Sequence, residues 1–209
     1  SLDPNRQYFF RAKARNWAGV GTSWLQFGST FTMVNVPGQS GTPFPTIGTQ
    51  WIGFQWDNGG NGPGTDYVAQ ISSDDFSTVN HSSNTRDVFA RFGIGGVGIP
   101  LNVDATYYFR VKALTAGGQP TAWTTALATF TWIQSPGLLP FPDVQVASIT
   151  FTWSPGANPV GTPYRVDLST NNFLTLNLSS MTKNLAVLCG TGGVGPALLP
   201  NVTYYVQVT

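Results

Sequence analysis

The sequence predicts an all-β protein built from repeated sandwiches of short strands, and three observations carry that expectation. The first is composition: nine Asp, no Glu and three Lys stand against 24 Gly and 15 Pro. Glu and Lys are among the better helix formers, whereas the abundant Thr, Val, Tyr, Phe and Trp suit a pleated, half-buried surface punctuated by turns. The second is alternation of apolar and other residues at a period of two. The third is an internal repeat of just under 100 residues.

Two offsets define that repeat. At 97 residues, YVAQISSDDF from Tyr67 matches YRVDLSTNNF from Tyr164, and Pro43-Phe44-Pro45 falls on Pro140-Phe141-Pro142. The same offset carries Trp56 onto Trp153, and GIGGVG at 93–98 onto GTGGVG at 190–195. At 99 residues, YFFRAKA from Tyr8 matches YYFRVKA from Tyr107, and Trp24 matches Trp123. YYVQV from Tyr204 is a third copy of that ribbon.

Taken in order, the elements read as half-buried strands. Ile52, Phe54 and Trp56 alternate with Trp51, Gly53 and Gln55. Tyr67, Ala69 and Ile71 follow, then Val88 and Ala90, then Tyr107, Phe109, Val111 and Ala113, whose neighbours Tyr108, Arg110 and Lys112 face outward. Leu127 to Trp132 closes the set, and turn-rich stretches such as DNGGNGPG and TAGGQP separate the strands. About seven short strands with a turn every 8 to 12 residues is the pattern of a β-sandwich.

A Trp on the second strand (Trp56, Trp153), a Tyr on the third (Tyr67, Tyr164) and the run Leu2, Pro4, Tyr8, Phe10, Arg11, Lys13, Ala14 resemble fibronectin type III modules. The resemblance implies tandem immunoglobulin-like sandwiches. It makes Tyr8, Tyr107 and Tyr204 the tyrosine corners that tie strand F to the backbone upstream, and Trp56 and Trp153 the core tryptophans. Val103 stands where the pattern has proline. Residues 1–33 would then supply strands F and G of one module, 34–133 a complete module, and 134–209 strands A to F of a third. The partial modules imply either a longer tandem array or neighbouring chains that complete one another by strand complementation.

Several function classes are disfavoured. Charged residues make up 9% of the chain and the formal net charge is +1, so no long-range field draws in nucleic acid, and no apolar run is long enough to span a bilayer. GIGGVG has the glycine spacing of a dinucleotide loop, but a proline-interrupted, alternating stretch follows where a helix and a later acidic residue are required. The glycines are expected to bend the E to F crossover, and no cofactor is expected. Asp74-Asp75 with Asp57 or Asp66 could form a glycosidase pair, yet Asn171-Asn172, Ser154 and Pro163 replace them in the next repeat. His81, the one histidine, is expected on a loop, and Cys189 reads as a small buried hydrophobe. DNGGNGPGTD lacks the closing bidentate acid of a calcium loop, so no metal site is expected.

Asn80, Asn177 and Asn201 head N-x-S/T sequons and are the candidate glycosylation positions. The expected function is a non-catalytic structural segment of an extracellular or cell-surface filament, stalk or sheath that self-associates. The alternative is an adhesin or glycan-binding spacer beside a secreted enzyme, with Trp17, Trp24 or loop aromatics touching sugar.

Overall fold

A computed structural model describes residues 1–209, which form seventeen strands and no helix. The chain divides into two compact units, residues 1–101 with 105–131, and residues 102–104 with 132–209.

The first unit opens with an antiparallel ribbon, β1 (Gln7–Ala12) against β2 (Leu25–Phe31). Two sheets follow. In one, β5 (Trp51–Asp57) pairs with β3 (Gly38–Gln39), β4 (Thr46–Ile47) and β8 (Phe89–Gly93). The other has the order β10 (Leu127–Phe130), β9 (Thr106–Leu114), β6 (Asp66–Ser72), β7 (His81–Thr85). Alternation along these strands is what builds the core: Ile52, Phe54 and Trp56 of β5 meet Tyr67, Ala69 and Ile71 of β6 and Phe109 and Val111 of β9. Burying such side chains stabilises by about 1.5–3 kcal/mol each.

The ribbon shares its register with the β9–β10 pair: Phe10 faces Gly28 as Phe109 faces Leu127. Phe109 is fully buried, whereas Phe10 is 47% exposed, because no second sheet of the described chain lies over the ribbon. The ribbon belongs to the same compact unit as the sandwich that follows it.

The second unit repeats the plan. β13 (Ser148–Ser154) pairs with β11 (Gly137–Leu138), β12 (Asp143–Val144) and β16 (Ala186–Gly190). Opposite lies a sheet ordered β15 (Leu178–Thr182), β14 (Tyr164–Ser169), β17 (Tyr205–Val208). Phe151, Trp153, Tyr164, Val166, Leu168 and Cys189 form its core.

The Pro-Phe-Pro segments divide the edge strand, falling between β3 and β4 and between β11 and β12; proline lacks the N–H a ladder needs. Two local readings of the sequence differ from the structure. Trp132 lies outside β10 and is 58% exposed, while Thr131 beside it is buried. Val88 precedes β8 and is exposed, so the inward set there is Ala90 and Phe92.

Candidate functional site

The glycine hexapeptides come first because they carry the only nucleotide-like spacing. After β8 the chain folds back on itself: Gly93 N–H donates to Val97 O (3.0 Å), Gly96 N–H to Gly93 O (2.9 Å), Val97 N–H to Arg91 O (2.8 Å) and Ile94 N–H to Gln50 O (3.2 Å). The second unit reproduces this bond for bond, with Gly190 to Val194 O (3.0 Å), Gly193 to Gly190 O (3.0 Å), Val194 to Leu188 O (2.8 Å) and Thr191 to Ala147 O (3.1 Å). A phosphate cradle needs such amides free and a helix behind them; here they are spent on the chain and the next strand is β9. Gly93 and Gly190 have φ of +90° and +95°, and a Cβ on either would run into the carbonyl oxygen of Gln50 or Ala147.

The tyrosines share one turn. The Tyr8 hydroxyl accepts the Asp3 N–H and the Tyr204 hydroxyl accepts the Leu199 N–H, both at 2.9 Å. Tyr107 is buried at the matching register. Three residues before each stands a left-handed residue: Asn5 (φ +52°), Asp104 (+51°) and Asn201 (+58°). Asn and Asp tolerate this conformation best among residues with a Cβ. Trp56 and Trp153 are each 2% exposed and pack edge-on to Tyr67 and Tyr164 at 5.7 and 5.6 Å. Both indole Nε1 atoms are buried without a hydrogen-bond partner.

The sequon asparagines are exposed, and each has a backbone duty that the sequence did not disclose. Asn80 Oδ1 accepts Ser73 N–H (2.6 Å) and Asn177 Oδ1 accepts Thr170 N–H (2.7 Å), closing the turn after β6 and after β14. Asn201 supplies the left-handed turn before Tyr204.

Asp74 belongs to the same turn rather than to an acid pair. Its carboxylate accepts Thr78 N–H (2.9 Å), Ser72 Oγ–H (2.7 Å) and Thr78 Oγ1–H (2.7 Å). The Thr78 amide foremost, then the two hydroxyls, hold its pKa below the ordinary 3.8. Asn171 makes the equivalent bonds to Thr175 N–H (3.0 Å) and Ser169 Oγ–H (2.9 Å) without a charge. A depressed carboxyl stabilises the fold above its unfolded pKa and loses that contribution as pH falls through the lower folded value. Amide exchange at Thr78 is therefore expected to accelerate on acidification below pH 3.8 relative to Thr175, read by hydrogen exchange with NMR.

The remaining titratable candidates are structural. His81 is not on a loop: it begins β7, opposite Ile71, with its ring against Gly98. Leu178 packs against Gly195 in the same way, so His81 does the work of a leucine. Burial pushes the Cys189 thiol up to about 11, leaving it neutral and unreactive at pH 7. In the DNGGNGPGTD turn, Asp57 Oδ1 accepts Gly59 N–H (2.8 Å) and Asn61 is buried, its Oδ1 taking Asn35 N–H (2.7 Å) and its Nδ2 donating to Asn35 O (2.9 Å). No group of three His, Cys, Asp or Glu is placed to hold a metal.

Asn5 locks the ribbon to the sandwich that follows. Its Nδ2 donates to Thr65 Oγ1 (3.0 Å) and its Oδ1 accepts Ala116 N–H (3.1 Å). These two bonds bridge the turn before β1 to the turns before β6 and after β9.

What sequence reasoning missed is a cation–aromatic ladder on the outward face of the β9 sheet. Arg110 lies between Phe76 (3.9 Å) and Trp123 (4.4 Å), and its Nε and Nη2 donate to Gln70 Oε1 (3.0 and 2.8 Å). Lys112 Nζ sits over the same Trp123 at 4.5 Å. The ribbon repeats the arrangement, with Arg11 at 4.3 Å and Lys13 at 4.8 Å from Trp24. Thr124 N–H to Val111 O (2.9 Å) and Thr22 N–H to Ala14 O (2.9 Å) hold the tryptophan segments beside their strands. The sequence places Arg110 and Lys112 on an outward face; Trp123 and Phe76 come to it from other segments of the chain.

The two-sheet plan, its strand order and its paired tyrosine and tryptophan are shared with solved structures of one fold. A two-domain fibronectin type III segment from chicken tenascin superposes with a TM-score of 0.54 at 17% identity, covering 83% of this chain and 90% of that one. The fold is a tandem of fibronectin type III sandwiches. Chicken CNTN1 domains FN1–FN3 (TM-score 0.35, 12% identity, 99% and 70% covered) and rat CD45 extracellular domains d3–d4 (0.38, 16%, 62% and 66%) also match. No protein-family model matches the chain, and no curated protein sequence does. In fibronectin type III terms, β3 and β4 are strand A, β5 is B, β6 is C, β7 is C′, β8 is E, and β9 and β10 are F and G.

Proposed function

We propose that this chain is a non-catalytic structural segment of an extracellular or cell-surface filament, stalk or sheath, made of fibronectin type III modules divided near residues 33 and 133, that associates with copies of itself. The observation that carries this reading is the outward surface of the complete sandwich. Phe130, Ile99 and Ile94 are 62%, 70% and 47% exposed on a protein with only 9% charged residues. Apolar side chains on a closed sandwich with so little charge favour lateral contact over free solution. The Asn5 lock supports a load-bearing role, since it fixes a module joint with directed hydrogen bonds instead of a loose linker. The amides of Gly93, Gly96, Gly190 and Gly193 are spent on the backbone and Asp74, His81 and Cys189 have structural roles, which supports the non-catalytic reading. Asn80, Asn177 and Asn201 are exposed and open to glycosylation in a secretory pathway.

Sedimentation velocity over a dilution series tests the association. The expected outcome is a sedimentation coefficient that rises with concentration and falls when Phe130 and Ile99 are replaced by Ser. A dilution-resistant monomer would overturn it.

A further inference from the structure

We propose that copies of this chain join head to tail, with the Trp17 turn of one copy seated on the Asn201 turn of the next. This joint rests on the self-association proposed above and is separate from lateral contact through Phe130 and Ile99.

The chain already contains one joint of this kind. Asn5 Oδ1 accepts the Ala116 N–H at 3.1 Å, so a left-handed turn ahead of β1 holds the hairpin turn that follows β9. Both halves of that joint recur, in register and unpaired, at Asn201 and at Trp17. Leu198-Leu199-Pro200-Asn201 matches Leu2-Asp3-Pro4-Asn5. The bond from Leu199 N–H to the Tyr204 hydroxyl repeats the one from Asp3 to Tyr8, and the Asn φ is +58° against +52°.

Trp17 matches Ala116 at the 99-residue offset, and the two turns agree bond for bond. Asn16 N–H donates to Val20 O (3.0 Å), Gly19 N–H to Asn16 O (2.9 Å) and Val20 N–H to Asn16 Oδ1 (2.9 Å). Thr115 N–H donates to Gln119 O (2.9 Å), Gly118 N–H to Thr115 O (2.8 Å) and Gln119 N–H to Thr115 Oγ1 (2.9 Å). The Ala116 N–H is taken by Asn5, whereas Trp17 and the Asn201 side chain stand exposed and unbonded.

Side-chain chemistry at the two turns is complementary. Trp17 and Val20, on one turn, are both exposed, the tryptophan completely. Tryptophan is highly buried on average and is a favoured anchor at protein interfaces. Asn201 forms part of the wall of an apolar hollow of about 260 Å³, with Val146, Ile149, Leu199 and Val202. A cavity of about 150 Å³ holds a benzene, so this one has room for an indole. Seating Trp17 there brings its amide to the Asn201 side chain, as Ala116 meets Asn5. The Trp17 turn is pinned by its own hydrogen bonds, so docking costs it little freedom.

A second copy is the occupant because it brings both halves of a joint that the chain itself displays. The two surfaces differ, so the contact is heterologous, and it propagates into a filament or closes as a ring. A glycan on Asn201 would block the joint, so the two fates of that residue exclude each other.

Sedimentation velocity of the unglycosylated chain over a dilution series tests the joint, in the Phe130→Ser, Ile99→Ser variant so that lateral contact is removed. Its sedimentation coefficient should still rise with concentration. Trp17→Ala should raise the dissociation constant about thirtyfold or more, as loss of an interface anchor does. Asn201→Gly, which keeps the left-handed turn, should raise it about tenfold. Trp17→Ala and Val146→Asp copies should each be monomeric alone yet form dimers when mixed, because one retains the hollow and the other the tryptophan. Both changes are at exposed positions, and a thermal melt confirms that each variant folds. If the unsubstituted chain is monomeric at every concentration, the joint and the self-association reading both fail. If it associates but the Phe130→Ser, Ile99→Ser variant does not, the joint alone fails. The joint also fails alone if association survives Trp17→Ala unchanged, as strand exchange would leave it, or if the mixed copies form no dimer.

Discussion

Replacing Gly93 with Ala is expected to destabilise the first unit by about 3 kcal/mol or more, roughly a 10 °C fall in its melting temperature. Two costs add. The backbone there has φ of +90°, which a Cβ makes unfavourable by about 1–2 kcal/mol. The Cβ also collides with the Gln50 carbonyl oxygen and crowds the Trp51 backbone, neither of which can rotate away as a flexible side chain would. Gly118→Ala is the control. Its φ is +79° but nothing lies within 4 Å of the added atom, so only the conformational cost of about 1–2 kcal/mol applies. Calorimetry of the two variants should separate them; equal melting temperatures would mean that close approach is not why glycine is there. Gly190→Ala should act likewise on the second unit, where Ala147 O takes the place of Gln50 O.

Trp56→Ala should cost about 3–5 kcal/mol, the range for removing a large buried aromatic side chain. Trp56 touches Phe54 and Tyr67 at ring distances of 5.4 and 5.7 Å and is 2% exposed, so truncation empties the centre of the sandwich. Trp56→Phe should cost much less than the alanine change. It keeps an aromatic ring and also removes the buried indole N–H that has no partner, a group whose unsatisfied burial costs about 1–3 kcal/mol. Guanidinium denaturation of both variants measures the difference. A Trp56→Ala loss under about 1 kcal/mol would show that this ring does not hold the two sheets together.

Much of this architecture is legible in the sequence because it is local. The alternation in 51–57 and 107–113 names the buried faces outright, and the repeat offsets align two glycine loops whose hydrogen bonds match one for one. Features that depend on tertiary register are not legible. Phe76, Arg110 and Trp123 lie far apart in the chain and meet only because β6, β9 and the segment before β10 pair in a fixed order. His81 reads as a loop residue because its neighbours are polar, yet Gly98 offers it the packing site that Gly195 offers Leu178. The divided strand A escapes propensity reasoning for a related reason. Pro43 cannot donate to the ladder, but its carbonyl still accepts Gln55 N–H at 2.8 Å, so the segment stays attached to β5 while ceasing to be a strand. The turn-closing bonds of Asn80 and Asn177 are likewise not legible in the sequence, because their partners Ser73 and Thr170 are set by the turns after β6 and β14.

Hydrogen–deuterium exchange across 93–97 and 190–194, with and without a nicotinamide or adenine nucleotide, probes most directly whether these glycines shape the backbone or hold a ligand. The account predicts matched, slow exchange at Gly93, Gly96 and Val97 and at Gly190, Gly193 and Val194, unchanged by nucleotide. Fast exchange that slows when nucleotide is added would contradict it.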